Sequence, residues 1–383
     1  MTDVGLVFAA KTVRTFCYGF LGIVLPVYLA DLGMGAAGVG ASVTLMLIAS
    51  AGLTWAVRRP AERYGARVAL LGLVALTALA ALLLLWTRTP GLVVAAAMLG
   101  NVAVGGGETG PFLTVEQVVI ARSVRGPQRT TLLSFYNLLG YGAAALGAAA
   151  AGLADNYRQL FVVFLAGAVL QALAYWRLPT ARLDPARRRE PVASAPLIRR
   201  LAALFALDSF AGGFVLQSLV AYFLHARFGF SVADLGFTFL VAQLLTAASL
   251  LLAAPLARRF GLLPTMVVSH LVSNVVLIAI AAAPTATAAV VLLCLRQLMS
   301  QMDVPTRQAY VMAVVHDHER EAAASTTNLA RTMTQAISPA LTGWIMQTMT
   351  MGAPFVIGGG LKIVYDVLLY VMFRHVKLSE EQG

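Results

Sequence analysis

Apolar and polar positions fall into long blocks. Twelve apolar runs, at about residues 5–30, 36–57, 68–87, 91–120, 130–153, 158–176, 201–225, 233–256, 263–283, 286–313, 323–347 and 353–373, are parted by short polar connections. A helix needs roughly 20 apolar residues to cross hydrocarbon, whereas a barrel strand needs only about 10. A helix also satisfies its backbone polar groups within itself, which lipid cannot do for it. The pattern predicts an all-α polytopic membrane protein with twelve transmembrane helices.

The longest polar stretch, Arg177 to Arg200, divides the twelve runs evenly. It holds seven arginines and four prolines and reads as a linker. Three parts follow: residues 1–176 as an N-terminal six-helix bundle, 177–200 as a basic linker, and 201–383 as a C-terminal six-helix bundle. Charged residues make up 12% of the chain and hydrophobic ones 59%, so the net charge of +11 does not describe a soluble nucleic-acid binder. The basic residues sit at the ends of the runs. Connections on the linker's side carry 19 Lys and Arg, and the opposite side carries only Arg88, Arg158 and Arg227. Such an asymmetry places the linker and both termini in the cytoplasm. The expected location is the cell's inner (cytoplasmic) membrane. No cleaved signal peptide is indicated, and Cys17 and Cys294 both lie inside apolar runs, away from any expected disulfide.

The halves repeat one another. Gly33, Gly40 and Gly65 return as Gly229, Gly236 and Gly261, each shifted by 196, and Asn137 and Gly152 return as Asn328 and Gly343, both shifted by 191. One six-helix unit used twice explains these offsets and predicts two pseudo-symmetric bundles.

Between the second and third runs, RRPAERYGARVAL resembles the loop signature of the major facilitator superfamily, roughly Gly-x-Leu-Ala-Asp-Arg-x-Gly-Arg-Lys. Glu62 stands at its aspartate, Arg63 at its arginine, Gly65 at its second glycine and Arg67 at its closing basic residue, while Arg58 replaces the first glycine. A second copy, APLARRFGLL, keeps Leu, Ala, Arg and Gly but has Arg258 in place of the acid. The resemblance implies a secondary transporter whose halves rock over a central cavity. It also implies that runs 1, 4, 7 and 10 line that cavity, that runs 3, 6, 9 and 12 stay peripheral, and that Glu62, Arg63, Gly65 and Arg67 form a gating loop.

Ionisable residues at membrane depth are costly and mark function or a locking ion pair. Arg14 and Lys11 lie in run 1, Glu108 and Glu116 in run 4, Asp208 in run 7, and Arg296, Gln297, Gln301, Asp303 and Arg307 in run 10; Arg331 lies in run 11, and Tyr136 and Asn137 in run 5. The candidate substrate and proton site is Arg14, Glu108, Asp208, Arg296, Gln297, Gln301, Asp303, Arg331, Tyr136 and Asn137. Two cross-helix pairs are expected, Arg14 with Glu108 and Asp208 with Arg296. Glu116, Asp303 and Arg307 read rather as locking charges, with Asp303 and Arg307 one turn apart on one face. Lys11 is expected to snorkel to the interface. The stretch His316-Asp317-His318-Glu319 reads as a solvated loop, so no metal site is expected.

No nucleophile–base set, metal cage or nucleotide loop is visible, so the chain is not expected to be an enzyme and no cofactor is expected. The leading expectation is a monomeric, proton-coupled efflux antiporter of a small drug-like or metabolite substrate. The resemblance contributes to it: drug-expelling antiporters of that family often carry a glycine-rich fifth segment with a Gly-Pro pair, and run 5, NLLGYGAAALGAAAAGL, is glycine-rich but lacks the proline. Beside it stand a transporter of an anionic metabolite or metal complex, recognised through Arg14, Arg296 and Arg331, and a non-transporting receptor on the same fold.

Overall fold

A computed structural model describes residues 3–103, 105, 110–123, 127–179, 195–315 and 320–374. Among these are seventeen helices: α1 Asp3–Asp31, α2 Ala36–Ala56, α3 Arg58–Tyr64, α4 Ala66–Trp86, α5 Pro90–Leu99, α6 Pro111–Ser123, α7 Pro127–Ala151, α8 Tyr157–Trp176, α9 Ala195–Gly213, α10 Gln217–Phe228, α11 Val232–Phe260, α12 Leu262–Ala281, α13 Ala286–Ser300, α14 Asp303–Val314, α15 Arg320–Gln335, α16 Ser338–Thr348 and α17 Ala353–Phe373. They fall onto the twelve runs. Runs 4, 7, 10 and 11 each consist of two helices in series and the others of one, while α3 lies in the connection between runs 2 and 3.

Eight stretches are long and apolar enough to cross a membrane among the described residues. Runs 4, 5, 10 and 11 fall outside that set. These are symmetry mates, run 4 with run 10 and run 5 with run 11, and they carry much of the polar chemistry. Large apolar side chains such as Trp86, Leu153 and Leu251 are exposed, as suits a surface solvated by lipid.

Local chemistry sets the helix ends. Asn156 caps α8 by accepting from the Gln159 amide, and Thr285 caps α13 by accepting from that of Ala288. Gly65 joins α3 to α4 at φ 90°, ψ 165°, and Gly261 joins α11 to α12 at φ 88°, ψ 159°. Left-handed backbone of this kind favours glycine, which has no Cβ to clash. Gly33 and Gly229 also take positive φ, 87° and 70°. Of the five described glycines with positive φ, these two pairs account for four, so the repeat read from glycine spacing is a repeat of backbone conformation.

The chain forms two compact units, Met1–Ala186 with Leu216–Gln243, and Arg187–Val215 with Leu244–Gly383. In unit 1, Leu6, Val7, Leu70, Phe112, Ile120, Tyr136 and Tyr175 form a buried core among α1, α4, α6, α7 and α8. There α1 and α7 touch backbone to backbone: a Cβ on Gly19 would lie 2.1 Å from Ala144 O, and one on Gly147 would lie 1.9 Å from Phe16 O. Helix α10 packs on α1 and α2, and Gly236 of α11 meets Ala148 of α7. Run 7 makes this arrangement possible by breaking at Phe214–Leu216, where three-residue turns replace the helical bonds. In unit 2, Ile198, Leu201, Phe205, Met266, Tyr310, Tyr365, Leu369 and Phe373 form the core. Gly213 of α9 repeats the close approach, since a Cβ there would lie 2.0 Å from Ser338 Oγ.

Candidate functional site: two buried charge clusters

Each unit buries one cluster of charges. In unit 1, α1 carries Arg14, 1% exposed, and α6 carries Glu116, 0% exposed. The two form a bidentate pair: Nη1 donates to Oε1 at 3.1 Å and Nη2 to Oε2 at 2.5 Å. Tyr175 of α8 accepts from Arg14 Nη1 at 2.7 Å and donates to Glu116 Oε1 at 2.5 Å. Tyr136 of α7 donates to Glu116 Oε2, and the guanidinium lies 4.6 Å above the Phe112 ring. Both carboxylate oxygens accept twice. A buried pair is tolerable only when its remaining polar atoms are matched in this way, and here they are.

Arg14 thus meets Glu116; the expected pairing with Glu108 lies outside the described residues, as does the His316–Glu319 stretch. Glu116 forms a buried ion pair of the kind a locking charge would make. Tyr136 belongs to the cluster, whereas Asn137 is exposed. Lys11 departs from expectation: it is buried, with its ammonium 4.3 Å from the centroid of the Tyr136 ring. Gly140 makes the space, because a Cβ there would fall 2.7 Å from Lys11 Cε. Run 6, expected to stay peripheral, supplies Tyr175.

Unit 2 gathers more charge on more helices. Asp208 of α9 accepts from Lys362 Nζ of α17 at 2.6 Å and from Arg307 Nη1 of α14 at 3.2 Å, and Arg331 Nη1 of α15 stands 3.8 Å away. Arg307 also donates to Asp303 at 2.6 Å, one turn earlier on the same helix, as its spacing foretold. His270 of α12 lies between Asp366 Oδ1, 2.7 Å from Nδ1, and Asp208 Oδ1, 3.6 Å from Nε2. Asn274 donates to Asp366 Oδ2 at 2.8 Å. The expected pairing of Asp208 with Arg296 does not form. Arg296 Nη1 donates instead to Gln297 Oε1 at 2.8 Å, while Gln297 donates to Thr246 at 3.2 Å. Gln301 is half-buried at the end of α13. Two guanidinium nitrogens, Arg296 Nε and Arg331 Nη1, are buried without a hydrogen bond among the described residues.

Sequence reading passed over Tyr175, His270, Asn274, Lys362 and Asp366. Four of them sit in runs 9 and 12, taken as peripheral. The signal was nonetheless present, since His270–Asn274 and Lys362–Asp366 are both i, i+4 pairs of polar residues inside apolar runs.

At the loop between runs 2 and 3, Glu62 and Arg63 are exposed and Gly65 is buried. The guanidinium of Arg63 lies 5.3 Å from the Tyr64 ring and that of Arg67 4.7 Å from the Trp176 ring.

The sequence profile of the Major Facilitator Superfamily matches residues 7–299 and 201–382. The chain belongs to this family. Members of the superfamily are transporters, which supports a non-enzymatic role. An uncharacterized membrane protein of Saccharomyces cerevisiae is 23% identical over 427 positions, spanning 98% of this chain and 94% of that one. Among solved structures, the D-xylose-proton symporter is similar with a TM-score of 0.76 at 13% identity, over 96% of this chain and 98% of its own. The nucleoside transporter NupG gives 0.75 at 14%, over 98% and 100%. The human organic anion transporter MFSD10 gives 0.68 at 15%, over 96% and 98%. The fold is thus the superfamily's all-α polytopic fold, and transport across a membrane is the general function.

Proposed function

We propose that this member of the superfamily is a proton-coupled transporter of a small organic solute bearing an anionic group, recognised in unit 2 by Arg331 with Arg296. The observation that carries this reading is the pair of guanidinium nitrogens buried without a hydrogen bond, in a cluster where cations outnumber acids. Arg296, Arg307, Arg331 and Lys362 stand against Asp208, Asp303 and Asp366. The planar guanidinium matches a carboxylate or phosphate better than any other side chain. Arg331 is 26% exposed and holds Asp208 only at 3.8 Å, so an anion can compete for it. Arg14, part of the anion-recognising set on sequence grounds, is given up because Glu116 and Tyr175 occupy its guanidinium.

The expectation of efflux leaned on the glycines of run 5. Gly140 and Gly147 are accounted for by close packing against Lys11 and Phe16, so they lend no weight to export, and the anionic reading moves ahead. The protein is proposed to act as a monomer in the inner membrane, as two six-helix halves, 1–176 and 201–383, joined by a cytoplasmic linker, 177–200. Cysteines placed at Glu190 and Glu380 should then resist an impermeant reagent in intact cells, and labelling there would overturn this sidedness.

The substrate class is tested by thermal unfolding of the purified protein. p-Aminohippurate should raise the unfolding temperature, since a ligand that binds only the folded state stabilises it. Its neutral methyl ester and tetraphenylphosphonium should not, and Arg331→Gln should abolish the shift. Stabilisation by the cation alone, or an anion effect that survives Arg331→Gln, would contradict the reading.

A further inference from the structure

His270 sits where three charged groups of unit 2, Asp208, Lys362 and Asp366, converge. It is 4% exposed. Helix α17 brings Lys362, whose Nζ is 3.4 Å from His270 Nε2, together with Asp366 and the edge-on ring of Tyr365 at 5.8 Å. Helix α9 brings Asp208, itself tied to Arg307, and through Arg307 to Asp303, on α14. Helix α13 carries Arg296, bonded to Gln297. Its own helix adds Asn274, which donates to Asp366.

We propose that His270 is the proton-binding residue of the transport cycle, and that its protonation frees Arg331 for the anion. The proposal rests on the anionic reading above. The network assigns the tautomer: Nδ1–H donates to Asp366, which leaves a lone pair on Nε2 facing the Lys362 ammonium. A proton arriving from water adds to that lone pair and breaks no bond in the protein. Nε2 then becomes a donor. It can no longer accept from Lys362, and its new N–H is matched by Asp208 Oδ1. Asp208 now has an additional cationic partner, and the one it can most readily release is Arg331, the farthest at 3.8 Å.

Charge counting gives the same direction. With neutral imidazole the four cations exceed the three acids by one. A proton on His270 raises the excess to two, and a bound anion returns it to one. Buried surroundings resist excess charge, so proton and anion each favour the other's binding, and by linkage the effect is reciprocal. Asp366 does not carry the proton in this scheme. It is a positioning residue, fixing which ring nitrogen is left to accept.

The test is ¹⁵N-histidine NMR on the full chain in lipid nanodiscs. The His270 signal is assigned by His270→Gln and, should that variant fail to fold, by a chain in which His225, His316, His318 and His375 are replaced by Gln. Across a series from about pH 8 to about pH 5, the signal should pass from the neutral to the charged pattern. Over that range the affinity for p-aminohippurate, measured by calorimetry, should rise about fivefold or more as pH falls. Arg331→Gln should lose the anion yet keep the titration, and Asp366→Asn should mix the ring tautomers. A His270 that stays in one protonation state throughout overturns the proposal, whether or not any anion binds. So does an anion bound equally well at both ends of the range. If p-aminohippurate does not bind at all, the substrate reading falls, and the proton site is judged on His270's own titration, which Asp208→Asn must move.

Discussion

The two buried clusters occupy matching places in the repeat, with the positions of acid and arginine exchanged. In unit 1 the arginine is on run 1 and its acid on run 4, Arg14 with Glu116. In unit 2 the acid is on run 7 and the arginine on run 10, Asp208 with Arg307. Glu116 and Arg307 are separated by 191 positions, the offset that also relates Asn137 to Asn328. Aromatic rings support both arginines, Phe112 beneath Arg14 and Phe205 beneath Arg307. The difference lies in saturation. Every oxygen of Glu116 is matched by a donor, and the cluster is neutral apart from Lys11. Asp208 is approached by two close cations, a distant third and an imidazole, and two guanidinium nitrogens nearby are unmatched. A saturated cluster resists change, because breaking it strands a buried charge. An unsaturated one has several partner arrangements close in energy, which coupled binding requires.

This contrast can be broken most severely at Glu116. Glu116→Ala should cost ~3–5 kcal/mol of stability, the loss typical when one member of a buried pair is removed, seen as a lower unfolding temperature and loss of monodispersity. Replacing both charges, Arg14→Met with Glu116→Leu, should recover most of that loss, which a substrate-binding role for the pair would not predict.

The repeat itself is tested next. Gly65→Ala and Gly261→Ala should each cost about 1–3 kcal/mol, the strain that a residue with a Cβ meets at positive φ and extended ψ. Near-equal losses in thermal unfolding would confirm that the two joints are equivalent, and a large inequality would count against it.

A smaller effect is expected at Arg331. Because it is partly exposed and only loosely held, Arg331→Gln should change stability by less than ~1 kcal/mol while abolishing stabilisation by p-aminohippurate. Loss of folding comparable to that of Glu116→Ala would place Arg331 among the locking charges.

Glu62→Ala should have the least effect on stability. Glu62 is exposed on α3, three residues before Gly65, so its removal should leave the unfolding temperature and substrate affinity unchanged and slow only turnover. An affinity loss at normal turnover would contradict a gating role.

The sequence made the twelve runs, the repeat and the Asp303–Arg307 pair legible, because run length, glycine spacing and helical periodicity are local properties. The partner of Arg14 was not legible. Run 4 is broken between Leu99 and Pro111, so depth counted along an unbroken helix misplaces Glu116. Run 12 misled for another reason. A helix that is apolar on most of its surface can still present one polar stripe, and Gly358 and Gly359 bring that face within backbone distance of α9 and α12. Lys362 and Asp366 are thereby buried among charges although their neighbours in sequence are Ile, Val and Leu.

The break at Phe214–Leu216 also bears on how the protein is made. Unit 1 includes α10 and the first part of α11, yet these are synthesised only after residues 1–215. Translation adds on the order of 5–20 residues per second, so for several seconds the six inserted N-terminal runs must wait with the α10-facing sides of α1 and α2 uncovered. A nascent chain stalled before residue 216 would leave those faces uncovered, and α10 is the piece whose arrival ends the exposure.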